Sequence, residues 1–370
     1  MRRLILAVVM VAVATPASAQ IGAIRRGLEA KEKIEGLKVT DEEAREIGAA
    51  VSERIRQRYG VVQDEAVHKY VTLVGTVVAQ AVGEASQPYT FIVLDTDAVN
   101  AFAAPGGYVH ITRGALALIG NEAELAGVLG HEIAHIAEKH TVKAIEKSNR
   151  IQMTTETVAG DREVLAQVTN LTYEHVIENS FDRGDEMESD KVGVAAANTV
   201  GYAPSGLSTF LQTLADRNKG ATEKRGLFAS HPDIEARIKR IDRQIKDDKL
   251  AATATVEARY TRYISYEATA QADIAMVEPG AAGLAGGSGE PAKAEEAKEA
   301  EKDEPKKRGF GLSGLVKPAG PEKQSAQVMA SGGARGVDPE RDAKGGGNSN
   351  TVTVRVTAAE IAEFKKGIGA

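Results

Sequence analysis

The sequence predicts an α+β protein: a mainly helical domain built around a small sheet, followed by a long low-complexity stretch. Three observations predict it. Apolar residues recur at helical spacing behind capping signals at Thr40, Asp64 and Asn121. Two β-branched and aromatic stretches, 89–94 and 100–112, interrupt that period between the second and third helices. From Pro279 to Ser349 the composition shifts: six of the eleven prolines fall there, with one aromatic residue, Phe310. Such a stretch cannot bury enough apolar surface to offset its ordering entropy, so 279–349 reads as a disordered linker.

The first nineteen residues read as an export signal, with basic Arg2-Arg3, an apolar run from Leu4 to Ala14, and small residues Ala17-Ser18-Ala19 before the cut. Eleven apolar residues are too few for a bilayer, which needs about 20. The chain has no cysteine, which removes both a lipid-anchor site and disulfide staples. The mature chain is therefore expected to be exported, without a transmembrane segment, periplasmic and soluble or peripheral to a membrane. The formal net charge of −6 becomes about −8 once the two signal arginines are gone. That balance argues against general nucleic-acid binding, which favours basic faces.

Residues 20–38 read as a lead-in, and 39–278 as the folded domain. Thr40-Asp41-Glu42-Glu43 is a capping box ahead of Ile47, Val51, Ile55 and Tyr59. Asp64 caps a second helix with Val67, Val71, Val74 and Val78 on its inner face. Tyr89–Leu94 reads as a strand, and Asn100–Thr112 as two short strands around Pro105-Gly106-Gly107. Gly107, Tyr108, Val109, His110 and Ile111 are expected to form an exposed sheet edge that takes an extended peptide as a further strand.

Asn121–His140 is the stretch with the most chemistry. It holds His131-Glu132-Ile133-Ala134-His135, the HExxH spacing of a zinc hydrolase helix. Residues four apart lie about 40° apart around a helix and roughly 6 Å along it, so both imidazoles can reach one metal ion. Glu132 lies beside them as a general base. His140, nine residues after His131, falls about 180° around a continuous helix and faces away. The HExxHxxGxxH pattern is not met either, since position 138 is Glu and position 141 is Thr. A third protein ligand is still needed. Glu186 and Asp190 share one helical face, so Glu186 can be that ligand and Asp190 can accept a ligating histidine's free ring N–H. Glu188 points elsewhere.

These motifs resemble the zinc endopeptidase family that includes HtpX-type membrane peptidases, the CAAX prenyl endopeptidase and soluble periplasmic relatives. The family's NAFAxPGG element is matched by Asn100–Gly107, its ExxxD by Glu186 to Asp190, and its His-Pro element followed by arginine by His231-Pro232 and Arg237. Position 110, often aromatic in the family, is His here. The resemblance implies a zincin-like fold, one Zn2+ held by His131, His135 and Glu186, and hydrolysis of misfolded or misassembled envelope proteins. An alternative is a chaperone or outer-membrane assembly factor with incidental proteolysis. Three roles stay open for His231: a packing residue, a donor to the developing oxyanion with Arg237 as the alternative donor, or a fourth ligand that plugs the resting site. At the C-terminus Thr351–Thr357 alternates like a strand, and Thr357 with Glu360 forms a capping box before Ile361, Phe364 and Ile368. This strand–helix, 350–370, is expected to dock onto the domain or onto a partner such as envelope assembly machinery.

Overall fold

In the computed structural model, helices cover both faces of a three-stranded sheet. Residues 39–83, 88–152, 161–178, 181–219, 231–270, 275–276, 329–330 and 352–369 are described. The expected export signal, the lead-in and nearly all of the linker lie outside the described residues.

Helix α1 (Asp41–Tyr59) opens on a complete capping box at Thr40 and Glu43, and α2 (Glu65–Val82) on Asp64. Strand β1 (Thr90–Leu94) pairs parallel to β3 (Tyr108–Thr112), and β2 (Ala101–Ala104) pairs antiparallel to β3. The helices α3 (Arg113–Leu118), α4 (Glu122–Ala137), α5 (His140–Gln152), α6 (Asp161–Glu178) and α7 (Arg183–Val200) follow. After them come α8 (Gly206–Arg217), α9 (Ile234–Asp247), α10 (Glu257–Tyr263) and α11 (Ala358–Lys366). A further two-residue pair joins Ala275–Met276 to Met329–Ala330. No described helix is long and apolar enough to cross a membrane.

Phe91, Val93, Val109 and Ile111 pack on Val71, Val74 and Val78 of α2 and on Leu125 and Leu129 of α4. Ile92, Leu94 and Phe102 pack on Ile47, Val51 and Ile55 of α1. Burial on both faces is why Phe91–Leu94 is a continuous apolar run rather than an alternating one.

The substrate strand expected at Gly107–Ile111 is corrected by the topology. The sheet order is β1-β3-β2, so β3 is the central strand and its main chain is paired on both sides. The Pro-Gly-Gly turn makes β2 and β3 a hairpin, but turn chemistry carries no information about which flank β1 takes. His110 is fully buried, with its Nε2 2.9 Å from Ser52 Oγ, and burial pushes its pKa down to about 3. It is a neutral core residue.

Asp233 is the N-cap of α9 in the left-handed region (φ 60°), and Pro232 precedes the helix. One smaller expectation also changes. Residues 352–357 pair with no strand among the described residues, although Val352 packs against the α1 side of the core. The helix after them forms as expected, with both halves of the Thr357–Glu360 capping box in place.

Helix α11 docks within the chain. Lys69 Nζ lies 2.6 Å from Glu360 Oε1, Lys365 Nζ donates to Gln80 Oε1 at 2.8 Å, and Arg259 stacks 3.9 Å from the Phe364 ring centroid. Phe364 and Ile368 are buried. Burying a large apolar side chain contributes about 1.5–3 kcal/mol, while exposed ion pairs contribute little. Deleting 351–370 is therefore expected to lower the melting temperature of the remaining chain. An unchanged melting temperature would mean that the docking is not used in solution.

Candidate metal centre

The centre is assembled by four elements. Helix α4 is fixed at its start, where the buried Glu122 carboxylate accepts hydrogen bonds from Tyr70 Oη (2.7 Å), Tyr202 Oη (2.6 Å) and Arg259 Nε (2.7 Å). A carboxylate in the first turn also complements the helix dipole. Helix α7 crosses α4 at Gly130 and Gly193. A Cβ on Gly193 would lie 2.7 Å from the Gly130 carbonyl carbon, so only glycine permits this approach. The close crossing seats the first turns of α7 against His131 and His135. The loop before α9 adds His231, and α9 adds Arg237.

His131, His135, Glu186 and His231 each offer one ligand atom, and these atoms all lie within 4.8 Å of one another. His131 Nε2 is 3.0 Å from His135 Nε2 and 3.2 Å from His231 Nδ1. Glu186 Oε1 is 2.8 Å from His231 Nδ1 and 3.4 Å from His135 Nε2. Tetrahedral zinc with bonds of about 2.0–2.1 Å separates its donors by about 3.3 Å, so the spacing and the three-imidazole, one-carboxylate donor set fit that ion. Glu132 lies beside the cluster, fully buried, with neither oxygen hydrogen-bonded among the described residues and Oε1 3.6 Å from His231 Nε2.

The charges around the cluster are balanced. Asp190 Oδ1 is 3.0 Å from His131 Nδ1, the placement expected of a carboxylate that orients a ligating imidazole. Arg237 clamps Asp190 through Nε (2.9 Å) and Nη2 (2.6 Å), and its Nη1 lies 2.8 Å from Glu186 Oε2. Burial would raise both carboxyls. The charges on His231 and Arg237 hold Glu186 well below the usual range, and Arg237 together with His131 does the same for Asp190. Glu132 is pushed up by burial, partly offset by His231 and His131. His135 is held neutral by burial, whereas at His231 burial is outweighed by the Glu186 charge.

Two expectations are corrected here. Arg237 as an oxyanion donor does not fit, because its guanidinium is buried and committed to two carboxylates. His140 does not face away: α4 ends at Ala137, Lys139 turns the chain at φ 56°, and His140 Nδ1 lies 3.0 Å from His135 Nδ1. Spacing along the chain points to neither the Gly130–Gly193 crossing nor the Phe181 ring, whose centroid lies 3.9 Å from that of His135 at a tilt of 32°. A glycine costing about 1 kcal/mol inside a helix was the available signal for the crossing.

A buried glutamate beside three histidines and a second glutamate, on a helix packed against a small sheet, is the arrangement of a metallopeptidase. Residues 65–245 match the model of peptidase family M48. It is similar to the beta-barrel assembly-enhancing protease of Yersinia pestis, 26% identical over 50% of this chain and 40% of that protein. It is similar to the metalloprotease YcaL of Escherichia coli K12, 28% identical over 44% of this chain and 64% of that protein. It is also similar to the mitochondrial metalloendopeptidase OMA1 of Schizosaccharomyces pombe, 28% identical over 39% of this chain and 42% of that protein. The chain thus spans less than two thirds of each of these relatives.

Proposed function

We propose that this chain is an exported zinc-dependent endopeptidase whose substrates are misfolded or misassembled envelope proteins. The observation that carries the reading is the convergence of His131, His135 and Glu186 beside a buried Glu132 whose oxygens accept no hydrogen bond among the described residues. The export-signal pattern at residues 1–19 and the name of the Yersinia relative support the envelope setting. Zinc, when bound, supplies Lewis-acid polarisation of the scissile carbonyl and activation of water. Glu132 takes a proton from the attacking water and returns it to the leaving amine. Asp190 and Arg237 hold the His131 ring and Glu186 in place. An extended substrate pairs with the outer edge of β2, which among the described residues pairs only with β3.

The site is closed. His131, Glu132, His135, Glu186 and His231 are each 3% exposed or less. His231 Nδ1 lies where a fourth donor would, so His231 acts as a plug that withdraws when substrate enters. In the assay that tests both readings, purified chain cleaves an unfolded polypeptide, a chelator stops cleavage, and added zinc restores it. The His231→Ala variant is expected to retain zinc and cleave faster. A drop of roughly 100-fold would instead make His231 an oxyanion donor, and no chelator-sensitive cleavage in either protein would overturn the peptidase reading.

A further inference from the structure

His140 is buried, carries a titratable ring, and takes no part in the donor cluster or in the chemistry assigned to Glu132. The turn at Lys139 folds it beneath His135. Its Nδ1 is 3.0 Å from His135 Nδ1, and its Nε2 is 3.2 Å from Glu188 Oε2 and 3.6 Å from Asp185 Oδ1. Ser189 Oγ also lies 3.2 Å from His140 Nδ1.

The chemistry of imidazole fixes the direction of this chain. His135 turns Nε2 toward His131 and Glu186. A neutral imidazole that ligates through Nε2 carries its proton on Nδ1 and needs an acceptor there. The facing His140 Nδ1 must then be the acceptor, because two protonated nitrogens would repel and two bare ones would not bond. The remaining His140 proton sits on Nε2, directed at Glu188 and Asp185. Both ligating histidines are thus anchored on carboxylates of α7, but differently. His131 meets Asp190 directly, while His135 reaches its carboxylates through a second ring.

We propose that His140 is a positioning residue for His135: its Nδ1 accepts a hydrogen bond from His135 Nδ1–H, and its ring passes the polarisation of Glu188 and Asp185 to the metal ligand. This rests on His135 being a ligand. The relay fixes the ring plane and raises the basicity of Nε2, the two effects for which such outer contacts are worth 10–100-fold in metal affinity. Its outer end is at the surface, since the Glu188 and Asp185 side chains are 51% and 29% exposed. The anchor is therefore open to tuning by substitutions that leave the core intact.

The test is zinc affinity of the full chain, measured by competition with a chelating indicator. His140→Phe keeps the ring volume without an acceptor, and His140→Gln keeps an acceptor without the ring. His140→Phe is expected to lose about 10–100-fold in affinity, with His140→Gln recovering most of it. Glu188→Gln, safe for folding at an exposed position, is expected to lose less, in the same direction. In the cobalt-substituted protein the visible absorption bands are expected to shift in the Phe variant and to return toward wild type in the Gln variant. Wild-type affinity in a folded His140→Phe variant, or affinity that follows ring volume instead of acceptor, overturns the relay. His131→Ala is the reference that separates the two readings. If it binds zinc as wild type does, the metal site itself is wrong; if it loses zinc while His140→Phe does not, only the relay fails.

Discussion

Glu132→Gln is expected to keep zinc and to lose about 10²–10⁴-fold in turnover of an unfolded polypeptide, the range a general base contributes. The amide has nearly the same volume and cannot take a proton. Because the Glu132 carboxylate is buried with no hydrogen bond among the described residues, replacing it also removes a buried charge, so the variant is expected to be no less stable. Metal content and cleavage rate, measured on one preparation, check both halves. Loss of zinc would make Glu132 a ligand or structural group, and retained turnover would move the base elsewhere.

The largest stability effect is expected at Arg237, far along the chain from the HExxH helix. Its guanidinium is buried against Asp190 and Glu186. Removing one partner of a buried ion pair leaves uncompensated charge and costs about 3–5 kcal/mol. Arg237→Met, which keeps much of the stem volume, is expected to lower the urea midpoint of the metal-free protein accordingly. The effect also has a pH signature. Asp190 and Glu186 titrate below their ordinary values in the folded protein. Their stabilisation is therefore present at neutral pH and is lost as pH falls through and below about 4, toward the lowered folded-state values. The Met variant is expected to have much less of that acid-side loss. A midpoint within about 1 kcal/mol of wild type would mean the two carboxylates find other partners.

Local patterns were legible because they need only neighbours in sequence. The caps at Thr40, Asp64, Asn121 and Thr357 are hydrogen bonds spanning two or three residues, and the HExxH and ExxxD faces follow from the helix repeat. Long-range order was not legible. Which side of β3 receives β1 depends on a crossover, and that choice made Tyr108–Ile111 part of a central strand instead of an edge.

Spacing within one element was enough to place the helices, the hairpin at Pro105-Gly106-Gly107, and the shared helical faces of His131 with His135 and of Glu186 with Asp190. Packing between elements settled what those side chains meet. Its place after a His-Pro element points Arg237 toward substrate, whereas α9 packs its guanidinium behind the site against Asp190 and Glu186 on α7. A helical wheel turns His140 away, because it assumes an unbroken helix. One left-handed residue, Lys139, breaks that helix and returns the ring to His135. A wheel is valid only as far as the helix runs, and where it stops is set by packing that the spacing does not contain.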